Sequence, residues 1–102
     1  MCEYKYIKDQ LDKIYNHYGK ENQHIKLIEE MAELTQAILK DDYKNYLEEL
    51  ADVSIVLEQI ILKLDKKDKE QFEQVRTDKI ERTLKRFEQE KLYEKSNIKN
   101  IF

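Results

Sequence analysis

The sequence predicts an all-α protein of about four helices that form a helical bundle completed by oligomerisation. The chain of 102 residues has no proline and one glycine, so residues that break helices are nearly absent. Hydrophobic residues, 40% of the chain, recur at helical spacing in four segments. This length corresponds to one domain, and we therefore expect a single all-α domain over residues 1–102.

The first helix is predicted over residues 3–18 and ends at the glycine. Gly19 lies where a helix C-cap in the left-handed region favours that residue. The apolar positions of this segment are three or four residues apart and share one helix face: Tyr4, Ile7, Leu11, Ile14 and Tyr18. A second helix is expected from an N-cap near Asn22 to about Lys40, with a similar stripe.

The third helix is predicted over residues 43–64, after a turn in which Asp41 or Asp42 is available as the N-cap. From Leu50 to Leu64 nearly every side of this helix is apolar, and a helix that is apolar all round is buried all round. The other segments of so short a chain are too few to cover it. We therefore expect a subunit interface here, in a homodimer or a homotetramer.

The fourth helix is predicted after the polar segment "LDKKDKEQFEQ" and runs to about Tyr93. Asp68 and Gln71 are spaced as a capping box at its start. The last residues, "KSNIKNIF", lack clear periodicity and are interpreted as a tail or a docking segment. The residues expected to face inward are the apolar ones at helical spacing: Phe72, Val75, Ile80, Leu84 and Phe87.

Charge and cysteine content argue against several classes of protein. A net charge of −3 disfavours a nucleic-acid polymer as the main partner, since proteins that bind one carry a basic surface. The single cysteine, Cys2, excludes an intramolecular disulfide and a cysteine-based zinc site. The N-terminal segment lacks the apolar core of a signal peptide, and no run approaches the roughly 20 apolar residues that span a membrane. We therefore expect a soluble, cytoplasmic protein with no membrane partner.

Two pairs of acids are spaced so that each pair lies on one helix face. Glu30 and Glu33 are three residues apart on the second helix, and Glu49 and Asp52 are three apart on the third. A short turn makes these helices antiparallel neighbours, and sixteen residues separate Glu33 from Glu49. The two pairs can therefore lie at similar heights and face each other.

Four converging carboxylates need a counter-charge. Asp52 lies at the edge of the most apolar stretch, where an unpaired carboxylate is costly. Basic side chains or divalent cations would neutralise the group, and hard cations such as Mg²⁺, or Mn²⁺ in its place, prefer carboxylate oxygens. Alternatively, these acids belong to solvated helix surfaces, since 40% of the chain is charged. A di-iron site is disfavoured, because His17 and His24 belong to neither acidic motif.

The segments "KLIEEMAEL" and "EELADVSIVL" resemble the MazG-type all-alpha nucleotide pyrophosphohydrolases, including their small phage and prophage members. The signature of that family is Glu-x-x-Glu, a spacer, then Glu-x-x-Asp, and the match covers roughly residues 18–60. The resemblance implies an enzyme that hydrolyses (d)NTPs to the monophosphate and pyrophosphate. It implies that four acids hold Mg²⁺: Glu30, Glu33, Glu49 and Asp52.

The phosphates of a nucleotide need cations besides the metal ion. Lys26 lies one turn before Glu30, on a similar face. The last core helix of the family tends to carry basic residues, and we therefore assign Lys79 and Arg82 to the phosphates, with Arg86 behind them. The alternative is that these three form a solvated face and pair with neighbouring acids.

The resemblance also assigns Glu29 as an auxiliary metal ligand or as the residue that orients the attacking water. Gln23 and the first helix, with Tyr15 or Tyr18, are the candidates for contacts with the base. Two rival interpretations stay open: a non-catalytic helical-bundle protein that mediates protein–protein interaction, and a family member that keeps the fold and the metal without turnover. The acid pair on the third helix argues against a pure interaction module, which has no need to hold both pairs together.

Overall fold

A computed structural model describes the backbone of residues 2–101 and the side chains of residues 3–94. Over residues 2–101 the chain forms four α-helices and no strand: α1 (Cys2–Tyr18), α2 (Lys20–Leu39), α3 (Tyr43–Leu62) and α4 (Lys66–Ile101). The predicted all-α helical-bundle class is therefore confirmed. No helix within these residues is both long enough and apolar enough to cross a membrane.

The chain divides into two compact units, Met1–Leu64 and Asp65–Phe102, and each is described by itself. In the first unit α2 and α3 pair most extensively, and α1 packs against both. The buried core of this unit has one apolar residue from each of its three helices: Leu11, Ala37 and Val56. The expectation of a single domain stays a prediction.

The junction of α1 and α2 differs from the predicted one. Gly19 has a φ of 88° and a ψ of 162°, which glycine adopts freely and other residues do not. It serves as the N-cap of α2, which therefore begins at Lys20 and not near Asn22. The Asn22 side chain instead donates a hydrogen bond of 2.7 Å to the carbonyl oxygen of Tyr18, at the end of α1. The prediction of Asn22 as an N-cap was therefore wrong.

The turn between α2 and α3 is built as the sequence predicts. Asp42 is the N-cap of α3, and its Oδ1 accepts a hydrogen bond of 3.2 Å from the backbone N–H of Asn45. Asp41 has a positive φ of 55°, a conformation that aspartate tolerates better than most residues. Because the turn is this short, α2 and α3 run antiparallel, and their facing residues are set by local geometry.

Within one chain, α3 is not buried all round. Its buried residues are Val56 and Gln59, whereas Leu50, Ile55 and Leu57 are more than 40% exposed. One chain therefore leaves α3 partly uncovered, as expected from the small number of other segments that could cover it. The inference of a subunit interface at these residues stays a prediction, because their exposure is what an uncovered interface would show.

Helix α4 starts earlier and ends later than predicted. Its first backbone groups are capped by Asp65, whose Oδ1 accepts a hydrogen bond of 2.8 Å from the N–H of Asp68, so the prediction of Asp68 as the cap was wrong. The helix continues past Tyr93 to Ile101, and the interpretation of the last residues as a tail or a docking segment stays a prediction, because their side chains lie outside the described part. Four of the apolar residues expected to face inward are exposed: Val75, Ile80, Leu84 and Phe87.

Candidate functional site

The antiparallel pairing of α2 and α3 brings three of the four predicted carboxylates together. One oxygen each from Glu30 on α2 and from Glu49 and Asp52 on α3 lies within 4.8 Å of the other two. Glu33 is exposed and lies outside this group, but it is near enough to Glu49 to raise the pKa of that carboxyl. The acid pairs therefore face each other, as their spacing predicts, and we call these four residues the carboxylate cluster.

Burial within the carboxylate cluster differs from the expectation. Glu30 is 5% exposed and Glu49 is half-buried, whereas Asp52 is exposed. The sequence argument placed the desolvated carboxylate at Asp52 because of the apolar residues beside it. Since much of that apolar surface of α3 is itself open in one chain, the desolvation falls on Glu30 and Glu49 instead.

Lys26 compensates the charge of one member of the cluster. Its ammonium lies 2.9 Å from Glu30 Oε1, one helical turn away. The hydrogen bond from Lys26 is the main reason why the pKa of Glu30 is lowered in spite of its burial. The same bond is the first cause of the raised pKa of Lys26. Lys26 thus lies at the site as predicted, but its ammonium pairs with the Glu30 carboxylate, whereas the prediction assigned it to a phosphate of the substrate.

Among residues 3–94, whose side chains the structure describes, Glu49 forms no ion pair with a basic residue. Burial is the largest cause that raises the pKa of Glu49, and the neighbouring Glu33 carboxyl is the next, so that this pKa reaches about 7. Asp52 and Glu30 raise it further through charge repulsion. Near neutral pH, a proton on Glu49 therefore reduces the negative charge of the cluster.

Two carboxylate oxygens of the cluster are buried without a hydrogen-bond partner. They are Glu30 Oε2 and Glu49 Oε2, and no protein group in the described residues satisfies them. Leaving a buried acceptor unsatisfied is unfavourable, and oxygen donors of this kind are the ligands that Mg²⁺ and Mn²⁺ take. The residues present therefore fit a hard divalent cation held by Glu30, Glu49 and Asp52, with Glu33 beside them.

A cavity of about 490 Å³ lies next to the cluster, between α1, α2 and α3. Its volume is within the range of small-molecule sites. It reaches Glu29, Glu30 and Asp52 at one end and has walls of mixed character. The remaining lining residues include three of the predicted substrate contacts, Tyr18, Gln23 and Lys26. The others are Asn22, Gln59 and the apolar side chains of Ile14, Ile25, Ile55 and Val56.

Of the two tyrosines predicted at the base site, the structure brings only Tyr18 to the cavity. Tyr15 instead packs under the ammonium of Lys63, which lies 5.5 Å from its ring centroid. Lys63 also forms an ion pair with Asp12 and donates a hydrogen bond to Asn16, so this group ties α1 to α3. Tyr15 therefore contributes to the packing of the helices and not to the cavity.

Gln59 lines the cavity but was not predicted as a site residue. Gln59 is 2% exposed and accepts a hydrogen bond of 2.7 Å from Nε2 of Gln23, which is 5% exposed. A signal was available: Gln59 follows Asp52 by seven residues, as Gln23 precedes Glu30 by seven. A step of seven residues keeps the same helix face, so on antiparallel helices the two glutamines meet wherever Glu30 meets Asp52.

The basic residues of α4 that are predicted to contact the phosphates belong to the second unit. Lys79, Arg82 and Arg86 are exposed on α4, within the unit of residues 65–102 that is described by itself. Their assignment to the phosphates stays a prediction. Within the described residues, His17 and His24 are not part of the group of potential metal ligands.

Comparison with known proteins gives no match: no protein-family model, curated protein or solved structure is significantly similar to this chain. The resemblance to MazG-type enzymes therefore rests on the two acidic motifs and their flanking residues. The functional argument rests on the geometry of the carboxylate cluster and of the cavity beside it.

Proposed function

We propose that the protein is a Mg²⁺-dependent nucleotide pyrophosphohydrolase that hydrolyses (d)NTPs to (d)NMPs and pyrophosphate. Mn²⁺ would replace Mg²⁺ at the same oxygens. Such an enzyme would act in the cytoplasm on the free nucleotide pool, with no nucleic-acid polymer and no membrane as a partner. A net charge of −3 agrees with a substrate that is recognised through a metal ion and not through a broad basic surface.

The observation that carries the proposal is the position of the carboxylate cluster at the end of a nucleotide-sized cavity. Glu30 Oε2 and Glu49 Oε2 are buried acceptors without a donor, which supports a cation as their partner. Glu30 and Asp52 also line the cavity, so a ligand there would contact the same carboxylates that hold the ion.

The residues around the cavity have separate roles in this proposal. Glu30, Glu33, Glu49 and Asp52 would hold Mg²⁺, which when bound neutralises triphosphate charge and lowers the pKa of water. Glu29 lines the cavity but is not in the group of closest ligands, so it is assigned to orient or deprotonate the water that attacks the α-phosphorus. That attack breaks the bond between the α-phosphorus and its bridging oxygen, and pyrophosphate leaves.

The phosphates and the base would lie at opposite ends of the cavity. Lys26 contacts Glu30 and would steady the metal-binding carboxylate, while Gln23 and Tyr18 line the part that is available to the nucleoside. Lys79 and Arg82, with Arg86 behind them, remain our assignment for cationic contacts to the phosphates. Their charges would offset the leaving pyrophosphate.

We also propose that the protein is a homodimer or a homotetramer. Large apolar side chains are exposed on both helices that carry the cluster, for example Ile28 and Met31 on α2 and Leu57 on α3. A single chain leaves this surface in water, which is unfavourable for a small unit with a small core. Light scattering coupled to size exclusion tests this: a mass of 12.5 kDa would contradict the assembly.

The exposed apolar surface also favours a second candidate, a non-catalytic bundle that binds another protein. In that case the acids would serve only as surface charges. The two candidates differ at Asp52, which is exposed and contributes little to packing. Its replacement by asparagine would stop an enzyme and leave an interaction module unaffected.

The proposal is tested by assaying pyrophosphate and nucleoside monophosphate release from each NTP and dNTP, with Mg²⁺ and with EDTA. We expect release that requires Mg²⁺ and is abolished by Asp52→Asn. Glu48→Gln is the matched control, because Glu48 is an exposed acid of α3 outside the cluster. No release from any nucleotide, or equal release by Asp52→Asn and the unmodified protein, would refute the proposed activity.

A further inference from the structure

Two buried glutamines line the cavity together with the carboxylates. Gln23 on α2 donates a hydrogen bond of 2.7 Å from Nε2 to Gln59 Oε1 on α3. They are two of the three polar or charged residues that are buried in the described part of the chain, the third being Glu30. A buried amide pair between two helices needs a reason, since apolar side chains would pack there without a polar group to satisfy.

Each amide keeps one polar atom that is not used in this bond. Gln23 Oε1 and Gln59 Nε2 have no hydrogen-bond partner among the described side chains. Neither is among the fully enclosed, unpartnered polar atoms of that part of the chain, which are oxygens of Glu30 and Glu49. Both glutamines line the cavity, so a ligand there would meet one amide acceptor and one amide donor that this bond leaves unused.

The amide pair lies at a distance from the carboxylates that suits a nucleotide. Gln23 precedes Glu30 and Gln59 follows Asp52 by seven residues, which is about 10 Å along a helix. This is comparable with the length of a nucleotide from its 5′-phosphate to the far edge of its base. If the carboxylates hold the phosphates, as the proposed function requires, the amides lie at the hydrogen-bonding edge of the base.

The hydrogen bond between the two amides does not depend on which residue is the donor. A half-turn of both amide groups exchanges oxygen and nitrogen at nearly the same positions. Gln59 Nε2 would then donate to Gln23 Oε1, and the cavity would meet a donor on Gln23 and an acceptor on Gln59. The pair can therefore present donor and acceptor in either order without losing its own bond.

We propose that Gln23 and Gln59 bind the Watson–Crick edge of any nucleobase by this exchange. Cytosine and adenine present an amino donor beside a ring-nitrogen acceptor. Uracil, thymine and guanine present a carbonyl acceptor beside a ring N–H donor. One orientation of the amide pair complements the first class and the other complements the second, so the site requires an intact edge and does not select one base.

Equilibrium binding of α,β-imido (d)NTP analogues in the presence of Mg²⁺ tests this inference, because binding is then measured without turnover at the α,β bond. The unmodified protein is expected to bind cytosine, adenine, uracil and guanine analogues with dissociation constants within about tenfold of each other. The N3-methyluracil analogue, whose donor is blocked, is expected to bind at least about tenfold more weakly than the uracil analogue.

The variant Gln59→Met keeps the length of the side chain and removes its hydrogen bonds. It is expected to weaken binding of every unmodified analogue about tenfold and to lose the difference between uracil and N3-methyluracil. Gln36→Met is the matched control, since Gln36 is an exposed glutamine on α2 that does not line the cavity. This control is expected to bind all analogues as the unmodified protein does.

Three results would overturn the inference. They are no binding of any analogue, a preference above about 100-fold for one class of base, and equal binding of uracil and N3-methyluracil analogues. The last comparison uses only the unmodified protein, so it stands even if Gln59→Met does not fold. Hydrolysis measured in parallel separates the two proposals. If the uracil analogue binds more tightly than the N3-methyluracil analogue but no nucleotide is hydrolysed, only the proposed activity is refuted. If nucleotides are hydrolysed but the two analogues bind equally, only the proposed role of Gln23 and Gln59 is refuted.

Discussion

Replacing Glu30 by glutamine should separate the stability of the fold from its ability to bind a metal ion. Glu30 is the buried member of the cluster, with one oxygen on Lys26 and the other without a partner. Glutamine keeps the volume, removes a charge next to Glu49 and loses an ion pair whose lysine is half exposed. Because the pKa of Glu30 is lowered, its ionised form stabilises the fold at neutral pH, so the metal-free variant should unfold at a slightly lower temperature than the unmodified protein.

The response to Mg²⁺ should differ strongly between the two proteins. A ligand at 100 times its dissociation constant stabilises a folded protein by about 2.7 kcal/mol. For a unit the size of residues 1–64, this corresponds to an increase in Tm of about 10–20 °C. If the variant binds Mg²⁺ roughly 100-fold more weakly, the same concentration stabilises it by only about 0.4 kcal/mol, or about 2–3 °C.

Thermal unfolding followed by circular dichroism measures both quantities, first in EDTA and then across a Mg²⁺ titration. The pH should lie above 7, so that Glu49 is ionised in the metal-free protein. Glu48→Gln is the control, because it removes an exposed acid of α3 and leaves the cluster intact. A Tm of the unmodified protein that does not move with Mg²⁺, or an equal response of Glu30→Gln, would refute the assignment of a metal site.

Three further predictions concern the pH dependence, the activity and the backbone. Because the pKa of Glu49 is raised, the folded protein binds a proton that the unfolded chain has already lost between pH 4.5 and about 7. The free energy of unfolding of the metal-free protein, measured in urea, should therefore fall as the pH rises through this range and change little above it. Glu49→Gln should remove this dependence on pH. Asp52→Asn should lower pyrophosphate release at least about 100-fold while changing the unfolding free energy by less than about 0.5 kcal/mol, because the side chain is exposed. Gly19→Ala should destabilise the protein by about 1–2 kcal/mol in urea unfolding, because φ is 88° there and a Cβ is strained even without a clash. A destabilisation near zero would show that the junction can relax.

The features that the sequence predicts correctly are set by local chemistry. Asp42 caps α3 because its side chain reaches the N–H of Asn45 three residues on, and the short turn before it makes α2 and α3 antiparallel. The facing of Glu30 and Glu49 follows from that turn and from helical spacing. Patterns over three to seven residues were sufficient for all of these predictions.

The features that the sequence does not predict depend on which surfaces are covered. Asp52 is adjacent to apolar residues in the sequence, yet it is exposed, because the buried face of α3 is centred on Val56 and Gln59. Asn22 is a residue type that favours the N-cap position, but Gly19 alone separates α1 from α2, and Asn22 therefore lies inside α2. The Asn22 side chain donates a hydrogen bond to the carbonyl oxygen of Tyr18 instead. Gln59 was not predicted as a site residue because it lies inside an apolar run of α3, where a single polar residue is usually a solvent-exposed position of the helix.

The contact between α2 and α3 carries polar groups at two levels, and both levels open into the same cavity. At one level Glu30 faces Glu49 and Asp52, and two turns away Gln23 faces Gln59. A contact selected only for stability would place apolar residues at these positions, since buried carboxylates repel and buried amides require partners. The cavity gives both departures a common explanation: a ligand with an anionic, metal-binding end and a hydrogen-bonding end about 10 Å away would satisfy both levels at once. A nucleotide has this distribution of groups, whereas a simple metal ion would satisfy only the carboxylates and an apolar partner would satisfy neither level.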